Sequence, residues 1–166
     1  MDIIILRHGE AGKRVPVASR DVERTLTVQG REEVGAVAES IRSLKLDIDL
    51  IATSPLKRAS ETAEIVARKL KKEKLLQLWD ELKPEGDTDA LYRRLSKLKA
   101  DSTVVLVGHE PYLSSMIGEV TAGKASSVRI VLKKAGLARM ELTEFVPRPS
   151  GTLRWLLPPR LIKRMA

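Results

Sequence analysis

The sequence predicts an α/β fold in three layers, a mainly parallel central sheet flanked by helices, with antiparallel strands near its C-terminal end. Two observations carry this. From the start of the chain, short apolar runs alternate with segments of helical periodicity, the signature of βαβ units around a parallel sheet. The C-terminal third then changes to apolar–polar alternation, which suits antiparallel strands with one buried face.

Each element can be justified in turn. Residues 3–6 (IIIL) read as the first buried strand. Val34, Val37, Ala38 and Ile41 follow helical spacing and place a helix over about 27–44. Leu50, Ile51 and Ala52 form a second buried strand. Pro55 sits where a first helical residue would, with Ser54 as cap and Ala59, Ala63, Val66 and Leu70 facing inward. A short third strand covers 75–78, and a loop with Pro84 and Gly86 leads to a helix marked by Leu91, Leu95 and Leu98. Residues 103–107 are the clearest buried strand, and Pro111 opens a helix whose inner face is Leu113, Met116, Ile117 and Val120. Ala138, Met140 and Leu142 alternate with polar residues, as do Leu153, Trp155 and Leu157, so two antiparallel strands are expected, joined through 147–151. One domain is read over 1–157, with 158–166 a basic tail, surface or frayed.

Composition excludes several chemistries. The chain has no cysteine, which removes disulfides, thiolate metal sites and cysteine nucleophiles together. Neither residues 3–6 nor 104–107 could span a bilayer, so no membrane role and a cytoplasmic location are expected. A formal net charge of +8 favours anionic partners: phosphate esters, acidic protein surfaces or nucleic acid. Nucleic acid is disfavoured, because only Trp79, Trp155, Tyr92, Tyr112 and Phe145 are aromatic and two of them fall in apolar strand patterns. Lys69, Lys71, Lys72 and Lys74 read as a solvated surface. The absence of asparagine, with 31% charged residues, hints at a thermophilic source.

The chain has only two histidines, His8 and His109, and each follows the carboxyl end of an apolar strand. Ligands of open α/β sheets bind at those ends. A structural or surface role is the ordinary reading of a lone histidine, but two at equivalent strand ends point to a site. They could hold a metal with Asp or Glu. Against that, Arg7 precedes His8 and Arg58 lies one helical turn beyond the second strand, and fixed cations oppose a divalent ion. Guanidinium forks suit a phosphoryl group instead, and Arg58 lies where helical N–H groups also favour an anion. No metal and no cofactor are expected.

These residues carry a resemblance. Residues 6–10 (LRHGE) resemble the Arg-His-Gly signature of the histidine phosphatase, or phosphoglycerate mutase-like, superfamily. Residues 53–62 (TSPLKRASET) look like its second motif and 107–110 (VGHE) like its third. The run 24–27 (RTLT) followed by Gly30, and 81–87 (ELKPEGD), is similar to the SixA-type phosphohistidine phosphatases. Only about fifty residues separate Arg58 from His109, too few for the helical lid that the larger relatives insert there.

The resemblance implies that His8 is a nucleophile that becomes transiently phosphorylated, its other ring nitrogen held by a carbonyl near Gly9. Arg7, Arg58 and His109 would bind the phosphoryl oxygens, together with Arg24 and Gly9. Glu81 matches the position of a proton donor in several branches, and Asp87, which reads more naturally as a helix cap, is the alternative. Glu10 fits the signature or only braces its loop. The implied reaction is metal-independent hydrolysis of a phosphohistidine protein or a small phosphomonoester. Two other readings stand beside it: a phosphoglycerate mutase-like phosphotransferase, which would need a closed site, and a non-catalytic phosphate- or nucleic-acid-binding module. Oligomeric state is not legible.

Overall fold

A computed structural model describes residues 1–13, 21–124, 128–145 and 148–165. Six strands form one sheet in the order β3-β2-β4-β1-β5-β6: β1 (Asp2–Arg7), β2 (Leu50–Thr53), β3 (Leu76–Leu78), β4 (Thr103–Gly108), β5 (Leu137–Glu144) and β6 (Ser150–Leu157). Strands β3, β2, β4 and β1 are mutually parallel, while β5 is antiparallel to β1 and β6 to β5. The three-layer fold expected from the sequence is the one observed. Helices α1 (Val28–Ser43), α2 (Lys57–Leu70) and α5 (Pro159–Met165) cover one face, and α3 (Thr88–Leu95) and α4 (Tyr112–Ala122) the other.

Strands β1, β2 and β4 are apolar on both faces because both faces are covered. Ile3 and Ile5 enter the core under α3 and α4, and Ile4 and Leu6 enter the core under α1 and α2. All four are fully buried. Burying a side chain of this kind contributes roughly 1.5–3 kcal/mol. A polar residue anywhere in this run would therefore be costly. Helix α1 buries Val34, Val37, Ala38 and Ile41, the residues that marked it in the sequence, and Thr27 caps it by accepting from the Gly30 amide at 2.9 Å.

Four local expectations are corrected. Helix α2 begins at Lys57 with Leu56 as its cap residue, so Pro55 lies outside it and Ser54 does not cap it. Leu75 belongs to a short 3₁₀ turn, and β3 is only 76–78. Leu153 does not share a face with Trp155 and Leu157. Arg139 pairs with Trp155 but Met140 with Leu153, so Arg154 is an extra, bulged residue that flips the alternation. Finally, the tail is not frayed: residues 159–165 form α5, and Ile162 is buried in the core beneath α1. Of the expected β5–β6 connection, Pro147 lies outside the described residues, and Ser150 and Gly151 belong to β6.

Candidate active site

Strand order brings the three motifs together. Strand β4 lies between β1 and β2, with Arg7 opposite Gly108 and Thr53 opposite Val107. The ladder continues beyond the strand ends: the His8 amide donates to the Gly108 carbonyl at 3.0 Å, and the Ser54 amide to the Val107 carbonyl at 3.0 Å. His8 and His109 thus leave adjacent parallel strands in register, and their ring centroids lie 5.1 Å apart at 54°.

The hydrogen bonds fix what each ring can do. His8 Nδ1 lies 2.7 Å from the Gly9 carbonyl, which can only accept, so Nδ1 carries the proton and Nε2 keeps its lone pair. Gly9 is locked in place: its amide donates to Thr62 Oγ1 at 3.1 Å, and Thr62 in turn donates to the Arg58 carbonyl at 2.7 Å. In this arrangement the Gly9 amide is engaged by Thr62 and its carbonyl by the His8 ring. No side chain fits at Gly9, where an added Cβ would stand 2.5 Å from Val34 Cγ2, nor at Gly30, where it would collide with the Glu10 carbonyl.

His109 Nε2 lies 2.9 Å from Ser54 Oγ, which also accepts from the Leu56 amide at 3.3 Å. The Ser54 hydroxyl has a proton to give and a second lone pair to accept with, so it pairs with Nε2 in either tautomer of His109, and the other ring nitrogen is Nδ1. That atom is buried and has no partner among the described residues, as is Arg7 Nε. Buried polar atoms without partners are rare and want an explanation. An anion arriving between the rings would supply one.

Three arginines surround the pair. Arg7 Nη1 donates to the Leu132 carbonyl at 2.9 Å. Arg58 donates to the Asp21 carbonyl at 3.0 Å and also pairs with the Asp21 carboxylate at 3.3 Å. Arg24 pairs with the same carboxylate at 3.0 Å and donates to the Gly12 carbonyl at 3.0 Å. Asp21 therefore positions two cations at once. Burial pushes the His8 imidazole down to about 3, reinforced by Arg58, Arg7 and Arg24 and opposed by the Gly9 carbonyl. Burial pushes His109 down to about 3 as well, followed by His8 and the same arginines. Both rings are neutral at pH 7.

A pH dependence follows. An unfolded chain binds protons on these rings near 6.5, whereas the folded chain does so only near 3. Their contribution to stability is complete above pH 6.5 and erodes as pH falls toward 3. In NMR spectra the ring resonances of His8 and His109 are expected to stay constant from pH 8 to pH 5. A midpoint near 6.5 for either ring would contradict the burial described.

The structure brings His8, Arg7, Arg58, Arg24 and His109 together, whereas each of the two candidate carboxylates already has a partner of its own. Both Glu81 oxygens accept from Arg94 Nη1 at 3.1 Å, and that guanidinium stacks over Trp79 at 4.1 Å. Asp87 caps α3, accepting from the Ala90 amide at 3.0 Å, as its sequence position suggested. Glu10 braces its loop, through its carbonyl to the Thr27 amide and its carboxylate to Lys134.

Besides Asp21, three supporting residues escaped the sequence reading. Ser54 read as a cap because it precedes a proline. Glu61 and Thr62 lie three and four residues beyond Arg58, and polar residues at that spacing on an otherwise apolar face were the available signal. Glu61 is buried, accepting from the Leu26 amide at 2.8 Å and from Arg31 at 2.9 Å, and so pins the segment that carries Arg24. Among the described residues no three His, Asp or Glu gather as a metal-binding group. No helix there is long and apolar enough to cross a membrane.

Comparisons with known proteins agree with this geometry. Residues 3–84, which include the first two motifs, match the model of the histidine phosphatase superfamily (branch 1). The chain is 35% identical to an uncharacterised protein of Picosynechococcus over 139 residues, 82% of each chain. It is 27% identical to the phosphohistidine phosphatase SixA of Escherichia coli over 165 residues, 98% of this chain and 97% of that one. Among solved structures, the protein histidine phosphatase SixA complexed with tungstate superposes with a TM-score of 0.85 at 26% identity, covering 98% of this chain and all of that one.

Proposed function

The chain belongs to the histidine phosphatase superfamily, and from that membership we propose that it hydrolyses protein phosphohistidine through a phosphorylated His8, without a metal ion. The observation that carries this reading is the pair of neutral imidazoles, one with a bare Nε2 and the other with a buried, unpartnered Nδ1, ringed by three arginines. In the first step His8 Nε2 attacks phosphorus in line, the bond to the leaving nitrogen breaks, and its electron pair stays with that nitrogen, which is protonated. In the second, water attacks phosphorylated His8, the P–N bond breaks, and inorganic phosphate and a proton are released. Arg7, Arg58 and Arg24, with His109 in the tautomer protonated at Nδ1, neutralise the charge that develops on the phosphoryl oxygens.

The position of Glu81 supports a nitrogen leaving group. To donate a proton it must give up the pair with Arg94. Expelling an alkoxide needs such a donor, a contribution of ~10²–10⁴-fold. A protonated imidazole leaves without one. The test is kcat/KM for a phosphohistidine peptide and an alkyl phosphate, in the presence of chelator, on wild type and Glu81→Gln. The expected outcome is a loss of at least ~10-fold on the alkyl phosphate and little change on the peptide. Equal large losses on both remove the preference for phosphohistidine, and inactivation by chelator overturns the metal-independent step.

A further inference from the structure

Beside the cluster opens a groove of about 680 Å³ whose charged lining is Arg7, Lys133, Lys134, Arg160 and Glu33. Its position is fixed by backbone. The Ala135 amide donates to the Arg7 and His8 carbonyls, both at 3.1 Å, and the Arg7 amide donates to the Gly136 carbonyl at 3.1 Å. The turn bearing Lys133 and Lys134 is thereby stapled to the first motif. On the opposite wall, Ile162 anchors α5 in the core and so holds Arg160.

The charges in this groove are unbalanced. Lys134 faces Glu10 at 3.3 Å, and Glu33, the only acid among the described residues of the lining, is held by Lys163 at 3.5 Å. Lys133 and Arg160 are exposed and have no carboxylate partner among the described residues. An ordinary surface intersperses the two signs. Here, two uncompensated cations line a channel that runs to Arg7 and is far larger than one phosphate. Among the described residues no aromatic side chain lines it, and so none offers the stacking platform that single-stranded nucleic acid would use.

We infer that this groove seats an acidic segment of the phosphorylated protein, placing Asp or Glu side chains against Lys133 and Arg160 while the phosphoryl group enters the site. This rests on the phosphohistidine reading above. Rim charges of this kind set encounter rate and choice of partner more than the chemistry.

The test separates the two. Fluorescence anisotropy measures binding of an unphosphorylated peptide, histidine flanked by four glutamates, and of its glutamine counterpart, to wild type and to Lys133→Glu/Arg160→Glu. Turnover of phosphoimidazole, which cannot reach the groove, is measured on both enzymes. The acidic peptide is expected to bind the variant at least ~10-fold more weakly, with phosphoimidazole turnover within ~2-fold of wild type. Equal binding of the acidic peptide to both enzymes, or of both peptides to wild type, overturns the groove while leaving the chemistry standing. No turnover of phosphoimidazole by wild type overturns the substrate reading, and binding alone then judges the groove. A DNA oligonucleotide that outcompetes the peptide, with the same dependence on Lys133 and Arg160, overturns the protein partner. If the charge reversals unfold the chain, Lys133→Gln/Arg160→Gln is measured the same way.

Discussion

Replacing His8 by alanine is expected to abolish turnover, at least ~10³-fold, together with phosphoryl labelling of the chain. The reason is specific to the bonding of the two rings. His8 Nε2 has no hydrogen bond among the described residues, whereas His109 Nε2 is occupied by Ser54. Of the two Nε2 atoms, only that of His8 is open to attack a substrate. After rapid quenching of a slow substrate, wild type should carry label that is labile in acid and stable in alkali. The alanine variant should carry none, yet still bind phosphate through its arginines, which shows that the site is assembled. Stoichiometric label on the variant would place the nucleophile elsewhere.

Arg58→Ala is expected to lower kcat by ~10²–10³-fold, the usual cost of removing one preorganised donor to a developing oxyanion. Arg58 is buried at 5% exposure, and its guanidinium is aimed by the carbonyl and carboxylate of Asp21, so little reorganisation is needed when substrate arrives. Arg58→Lys should recover only part of the loss, since an ammonium restores the charge but not the planar fork. A second readout separates catalysis from folding. Arg58 helps to hold His8 deprotonated, so in the alanine variant the His8 titration should move upward, toward but not reaching its ordinary value, because burial is the larger cause. A loss of less than ~3-fold with an unmoved titration would remove Arg58 from the phosphoryl-binding set.

The reacting groups were legible because each follows an apolar run that cannot be anything but a strand. Ile3–Leu6 and the run ending at Val107 each deliver a histidine to the carboxyl end of the parallel strands. What supports those groups was not legible, for physical reasons. Gly9 meets Thr62, and Leu26 meets Glu61, across separations that no local periodicity encodes. Arg154 looks like one more polar residue in an alternating strand, and only its cross-strand register exposes it as a bulge. The stretch after Pro158 reads as a basic tail because a single buried Ile162 is too faint a pattern to reveal a helix.

The place of β1 between β4 and β5 has a consequence for how the molecule is made. The earliest strand in the chain is also an interior strand, and both of its neighbours are distant in sequence, at 103–108 and 137–144. On a ribosome adding ~5–20 residues per second, four apolar side chains and two unpaired edges wait roughly ten seconds for partners. During that interval the nascent chain holds His8 but not His109, and the Ala135 amide that ties the first motif down does not yet exist. Phosphatase chemistry can therefore begin only after nearly the whole domain has been synthesised. Until then the exposed first strand is a natural client for a chaperone that binds short aliphatic segments.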